Sequence, residues 1–212
     1  MAGRGWKGQP PRTEEEARQR ILEAANRCLD RYGPAKTSLS DVAAELGVTR
    51  QTVYRHFPST TDLLLASAVA SVEPFLDRVA EHCASLSDPG EIVVAGLVYI
   101  LRHLPEDPRL SLLLAVDRAD LFTVGITSPT AFEFGRAILR RYPVDWDALG
   151  YGEEEFDELV EYLLRLVQSL MIDPGRPPRS PEDLTRFLNR WLAPAVTRFS
   201  PRPEEGAASP GA

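Results

Sequence analysis

Leu39 to Phe57 reads LSDVAAELGVTRQTVYRHF, and its spacing divides it into a helix, a tight turn and a second helix. Leu39, Val42, Ala43 and Leu46 recur at i, i+3, i+4 and i+7, one apolar face of a short helix. Ser38 is placed to cap it, and Asp41 falls in the first turn, where negative charge suits the helix dipole. Gly47 follows the last periodic residue, where a left-handed backbone ends the helix and turns the chain. Val48 can plug the turn. Thr49 caps the second helix, Arg50 to about Phe57, and Pro58 stops it. A small residue at Ala43, a turn glycine at Gly47 and a buried aliphatic at Val53 have the offsets of a helix-turn-helix, whose second helix enters a DNA major groove.

At about 100° per residue, Val53 and Phe57 point from that second helix to the core. Gln51, Thr52 and Arg55 point the opposite way, and Arg50, Tyr54 and His56 lie on the flanks. An amide, a hydroxyl and a guanidinium on one outward face can form hydrogen bonds to base edges. Flanking Tyr54 and His56 suit phosphates. An ordinary polar surface helix is the competing reading, and the matching turn in front of it weighs against that.

The segment GVTRQTVYRHFPSTTDLL resembles the DNA-reading part of the TetR family of bacterial transcriptional regulators. The shared pattern falls here on Thr37, Ala43, Gly47, Val48, Tyr54, Phe57, Ser59, Leu63 and Leu64, within about Thr13 to Leu65. Where the family usually has a Lys contacting phosphate after the cap of the fourth helix, this chain has Thr60. A hydroxyl at a helix N-terminus can still meet phosphate, more weakly. The expected DNA-contacting set is therefore Thr37, Ser38, Thr49, Arg50, Gln51, Thr52, Tyr54, Arg55, His56 and Thr60, with Thr37 open to a plain turn role. The resemblance implies an all-α protein of about nine helices. It implies a homodimer on a double-stranded, pseudo-palindromic operator, released by a small-molecule effector.

Charge is unevenly distributed. Residues 1–58 hold ten Lys/Arg and seven Asp/Glu, so +3; the rest hold fourteen and twenty-four, so −10, which together give the net −7. A mildly basic head on an acidic body favours one orientation on DNA. No apolar run has the length of a membrane span, so the expected location is the cytoplasm and no membrane partner is expected. Cys28 and Cys83 fall inside helical patterns and read as small buried residues of a reducing compartment. His56, His82 and His103 have no second ligand at metal spacing, so neither a metal nor a cofactor is expected.

Four segments are expected: a disordered arm over 1–12, a DNA-binding domain over 13–58, an effector and dimerisation domain over 59–199, and a disordered tail over 200–212. The arm carries Arg4, Lys7 and Arg12, and such arms can enter a minor groove. Thr13 and Glu16 make a capping box for a helix to about Tyr32. Ser59 caps the fourth helix, and Pro74 is expected to kink or break it on its way to Cys83. Further helices are expected over Ile92–Leu104, Pro108–Val116 and Pro129–Tyr142, with loops over Asp120–Ser128 and Pro143–Gly152. No period-two pattern is sustained, so no sheet is expected.

Glu153–Ile172 and Pro181–Phe199 read as long helices with apolar stripes wide enough for a two-fold four-helix interface. Phe156, Leu163, Val167, Leu184, Phe187, Leu188, Trp191 and Val196 are its candidates; a stripe facing only the monomer core is the alternative. Tyr99, His103, Leu113, Phe122, Phe134 and Trp146 are candidates for an effector pocket with apolar or aromatic walls and a few polar tips. A DNA-binding module without effector predicts a filled body instead. Catalysis has no support: there is no catalytic-triad order, Gly-rich phosphate loop or metal spacing.

Overall fold

The computed structural model describes residues 5–111 and 128–197, and everything below refers to them. They form α-helices and short 3-10 turns, with no strand among them. The helices are α1 (Glu14–Tyr32), α2 (Leu39–Leu46), α3 (Arg50–His56), α4 (Thr60–Ala70), α5 (Val72–Cys83) and α6 (Pro89–His103), then α7 (Pro129–Arg141), α8 (Glu153–Ile172), α9 (Pro181–Trp191) and α10 (Ala193–Thr197). Leu113 and Phe122, and most of the expected 108–116 helix and 120–128 loop, lie outside the described residues.

Two compact units emerge. The head takes the described residues up to Asp77 and the stretch that begins at Arg102; the body takes Arg78–Leu101 and the described residues from 128 on. The head is thus larger than 13–58. Leu63 of α4 belongs to the same buried cluster as Ile21, Leu39, Val42, Val53 and Phe57. The Ser67 hydroxyl, wholly buried, is hydrogen-bonded to Asn26 of α1, and Arg109 is paired with Asp30 at 3.5 Å.

Local chemistry explains the head. Thr13 Oγ1 accepts from the Glu16 amide, but Glu16 returns the favour to the Arg12 amide at 2.7 Å rather than to Thr13. Ser38 and Asp41 form the full reciprocal box. Gly47 is left-handed (φ 67, ψ 30), and its amide bonds back to the end of α2. The Val48 amide reaches the Ala43 carbonyl at 2.9 Å. Ala43, buried, keeps α2 close to its neighbours.

Residues 5–12 are not a free arm. Gly5–Gly8 make a 3-10 turn in which Trp6 (φ 62) and Lys7 (φ 52) are left-handed. That conformation costs non-glycine residues roughly 1–2 kcal/mol each. Trp6 packs, half-buried, on the head core.

Proline interrupts two helices. Pro74 has no N–H for the Ala70 carbonyl and its ring crowds it, so the helix breaks at Ser71 and α5 restarts with Pro74 in its first turn. Pro194 stands in the same relation to Arg190; the expected single helix 181–199 is split at Leu192.

In the body, small residues and buried aromatics set the approach of helices. Gly96 of α6 leaves the space taken by the Tyr142 hydroxyl, where a Cβ would collide with it. Trp146 is buried, donates its indole N–H to the Leu139 carbonyl at 3.0 Å, and meets Tyr151 and Phe156 edge-on. Tyr151 donates to the Val196 carbonyl at 3.1 Å. Cys28 and Cys83 are free, buried thiols, and burial pushes Cys83 up to about 11. No helix among the described residues is long and apolar enough to cross a membrane.

Candidate nucleic-acid interface

The second helix of the motif, α3, is short, and its two faces have opposite characters. Val53 is fully buried and Phe57 nearly so, both in the head core. On the other side Arg50, Gln51, Tyr54 and Arg55 are exposed and Thr52 is half-exposed. Thr49 begins this face: its Oγ1 accepts from the Thr52 amide at 3.2 Å and lies 2.9 Å from the Thr52 hydroxyl. The outward face thus begins with a hydroxyl pair and continues with an amide, a phenol and two guanidinium groups.

A clamp fixes the far end of α3. The Arg18 guanidinium of α1 lies 4.4 Å above the Phe57 ring and donates to the His56 carbonyl at 3.0 Å. The stacking and the hydrogen bond tie the end of α3 to α1 without using any group on the outward face.

Two expected contacts do not stand on this surface. His56 is buried, only 8% exposed. It lies three residues beyond Val53, so it turns toward the core side of a 3.6-residue helix. Neither ring nitrogen makes a hydrogen bond among the described residues, and Glu14 Oε1 stands 3.9 Å from Nδ1. Burial first, and then the Arg55 charge, lower its pKa. Thr37 is also buried, its hydroxyl donating to the Gly33 carbonyl at 2.8 Å, so it serves the turn after α1. Ser38 is half-buried and committed to its cap; Thr60 is half-exposed in the first turn of α4.

The body holds a small apolar cavity of about 60 Å³. Val93, Leu97 and Ile100 of α6 line it with Gly135, Ile138 and Leu139 of α7, Tyr142 just beyond, and Val160, Leu163, Leu164 and Val167 of α8. None of the four described pocket candidates is among these residues. Tyr99 stacks on His82 at 4.9 Å, His103 is within 3.1 Å of Glu106, Phe134 is half-buried elsewhere, and Trp146 is core. The wall of this cavity is made of the i, i+4, i+7 stripes of two helices and the matching face of a third. Those stripes were visible, but nothing in them distinguishes a cavity wall from packed core.

The expected interface residues also divide. Phe156, Leu163, Val167, Leu188 and Val196 are buried within the chain itself, because the stripes of α8 and α9 serve the body core first. Leu184 and Phe187 are half-buried, with the Arg179 guanidinium 4.4 Å from the Phe187 ring. Trp191 is 66% exposed, and Tyr162 and Ile172 of α8 are exposed as well.

Residues 21–67, which span α1 to α4, match the sequence profile of bacterial regulatory proteins of the tetR family. The chain carries a TetR-family helix-turn-helix domain. Over 201 residues it is 24% identical to an uncharacterized HTH-type transcriptional regulator of Mycobacterium tuberculosis, the match covering 94% of each. The fold is shared with the TetR-family repressor AlkX from a Dietzia strain, implicated in biodegradation of n-alkanes (TM-score 0.59, 20% identity, 85% of this chain and 96% of that one). It is similar also to a transcriptional regulator from Saccharomonospora viridis solved in complex with choline (TM-score 0.50, 27% identity, 84% of this chain and 96% of that one). These relatives and neighbours are transcriptional regulators, and the match to the family lies in the head.

Proposed function

We propose that this regulator is a repressor that binds a pseudo-palindromic operator as a homodimer and leaves it when a small apolar molecule occupies the body. The observation that carries the reading is the outward face of α3. Gln51 and Arg55 suit base edges, and Arg50, Tyr54 and Thr49 suit the flanking backbone. A single α3 covers only a few base pairs, so a second copy about one helical turn away, on the order of 34–36 Å, supplies the rest of the site. Exposed Tyr162, Ile172 and Trp191 on α8 and α9 support pairing through these helices.

The cavity walls favour an aliphatic effector. At about 60 Å³ the space is well below the several hundred Å³ of a typical ligand site, so binding requires α6, α7 and α8 to part. An effector that enters only the parted form shifts the population toward that form, and so couples to the spacing of the two heads. The same small volume favours a second reading, a DNA-bound regulator without effector.

Selection of bound duplexes from random DNA tests the first part. An inverted repeat with half-sites one turn apart is the expected outcome; recovery of no preferred sequence overturns it. Titrating the operator complex with aliphatic alcohols and acids then separates the two readings, since release by any of them removes the effector-free one.

A further inference from the structure

The first described residues do something the sequence pattern did not announce. Trp6 and Lys7 are consecutive left-handed residues that are not glycine. Strain of that kind persists where surrounding contacts over-determine it, and it concentrates at functional positions. The contacts are all to the head. The Trp6 ring rests on the head core, its carbonyl accepts from the Gln9 amide at 3.0 Å, and the Gln9 carbonyl accepts in turn from Arg20 of α1. Lys7 Nζ reaches Glu45 near the end of α2 at 3.5 Å, where Arg27 (2.9 Å) and Arg31 (3.7 Å) of α1 converge on the same carboxylate. Gly5 lies against the turn itself: a Cβ there would stand 3.6 Å from Val48 Cγ1 and 3.8 Å from the Gly47 carbonyl.

We propose that residues 5–9 form a strap that holds the Gly47–Val48 turn, and so the angle at which α3 is presented to DNA, with Trp6 and Lys7 as positioning residues. The inference rests on operator binding by this head. The turn is where α3 departs from α2, so a small change there is amplified along the reading face. Glu45 would repel phosphates if it were bare; three cations neutralise it, and Lys7 is the one supplied by the strap. Lys7 therefore acts on the protein, not on a phosphate.

The test measures operator affinity of the full chain at several salt concentrations for W6A, W6F, K7A, E45Q, K7A/E45Q and a deletion of residues 2–8. W6A and the deletion are expected to weaken binding about tenfold, the factor for loss of one good packing contact. W6F, which keeps an aromatic face, is expected to restore most of it. K7A should leave the slope of log K against log salt unchanged, whereas loss of a phosphate contact lowers it by about 0.9. K7A and E45Q should be non-additive. Wild-type affinity in the deletion variant, or a slope reduced by about one in K7A, overturns the strap. If W6A does not fold, as circular dichroism would tell, W6F and the K7A/E45Q cycle decide by the same criteria. Loss of wild-type operator binding altogether would take down the functional reading first, whereas an intact wild type with unaffected strap variants sinks the strap alone.

Discussion

The head and the body are both helical and both use serine caps, Ser128 and Ser180 opening two helices of the body, yet the features that set their geometry differ. In the head, α1, α2, α3 and α4 each begin at a Ser or Thr whose side chain accepts an amide three residues on: Thr13, Ser38, Thr49 and Ser59. The turn is made by one left-handed glycine. These are short-range instructions. In the body, partners meet from far along the chain: the space beside Gly96 is filled by Tyr142, and Tyr151 reaches Val196, 45 residues away. A surface that must present a fixed set of side chains to DNA is well served by local rules, because its geometry then depends little on the rest of the fold. A region that, as proposed, parts around an effector is better served by side-chain packing, which can be rearranged.

The contrast can be broken in order of expected effect. Phe57→Ala removes a buried ring and the stack with Arg18, and should lower stability by about 3–5 kcal/mol in urea unfolding followed by circular dichroism. Unchanged stability would mean the clamp does not secure α3. Gly96→Ala forces a methyl into the Tyr142 hydroxyl and should cost about 1–3 kcal/mol. Adding Tyr142→Phe, which deletes that hydroxyl, should recover much of the loss. A double variant no better than the single would locate the strain elsewhere. Arg55→Ala leaves the core untouched, so its melting curve should match wild type while specific operator affinity falls by about 1–3 kcal/mol; equal binding would remove Arg55 from the reading face. Gly47→Ala should cost about 1–2 kcal/mol through its left-handed backbone. Unlike the Gly96→Ala collision, this strain lies in the backbone, so trimming a side chain elsewhere should not relieve it.

Legibility followed the same division. The capping residues, the Leu39–Leu46 stripe, Gly47 and the outward Gln51 and Arg55 could be read because each depends on residues within one or two turns. His56 was expected on the flank of α3 and is buried, because its surroundings depend on α1 and not on α3 alone; Thr37, open between a phosphate contact and a turn role, bonds to the turn after α1. Trp6 packing on the head was invisible, since nothing in a Gly-, Pro- and Arg-rich arm signals a left-handed docked turn. In the body the stripes of α8 and α9 were legible, but a stripe does not say whether its other side is the chain's own core or a second copy. Phe156 and Leu188 went to the core, while Trp191, on the same helix as Leu188, stayed at the surface. The break at Pro74 was foreseeable from the missing N–H; the identical relation at Pro194 carried the same information and splits α9 from α10.

The smallest expected effect links the two sides of α3. His56 is buried beside Arg18 and Arg55, with Glu14 as the one nearby carboxylate, and burial together with the Arg55 charge lowers its pKa from the ordinary 6.5. In the unfolded chain it takes up a proton at that ordinary value; in the folded head it resists. Between the two values the unfolded state holds more protons, so stability rises with pH there. The contribution is complete above about 6.5 and is lost as pH falls below it. His56→Phe, which cannot be protonated and fills a similar volume, should flatten the pH dependence of head stability below about 6.5. Operator affinity at neutral pH should change little, because the imidazole does not stand on the reading face. A variant whose melting temperature still falls with acid as steeply as wild type would assign that sensitivity to other groups. One that loses operator binding at neutral pH would return His56 to the DNA surface, from which its burial removes it.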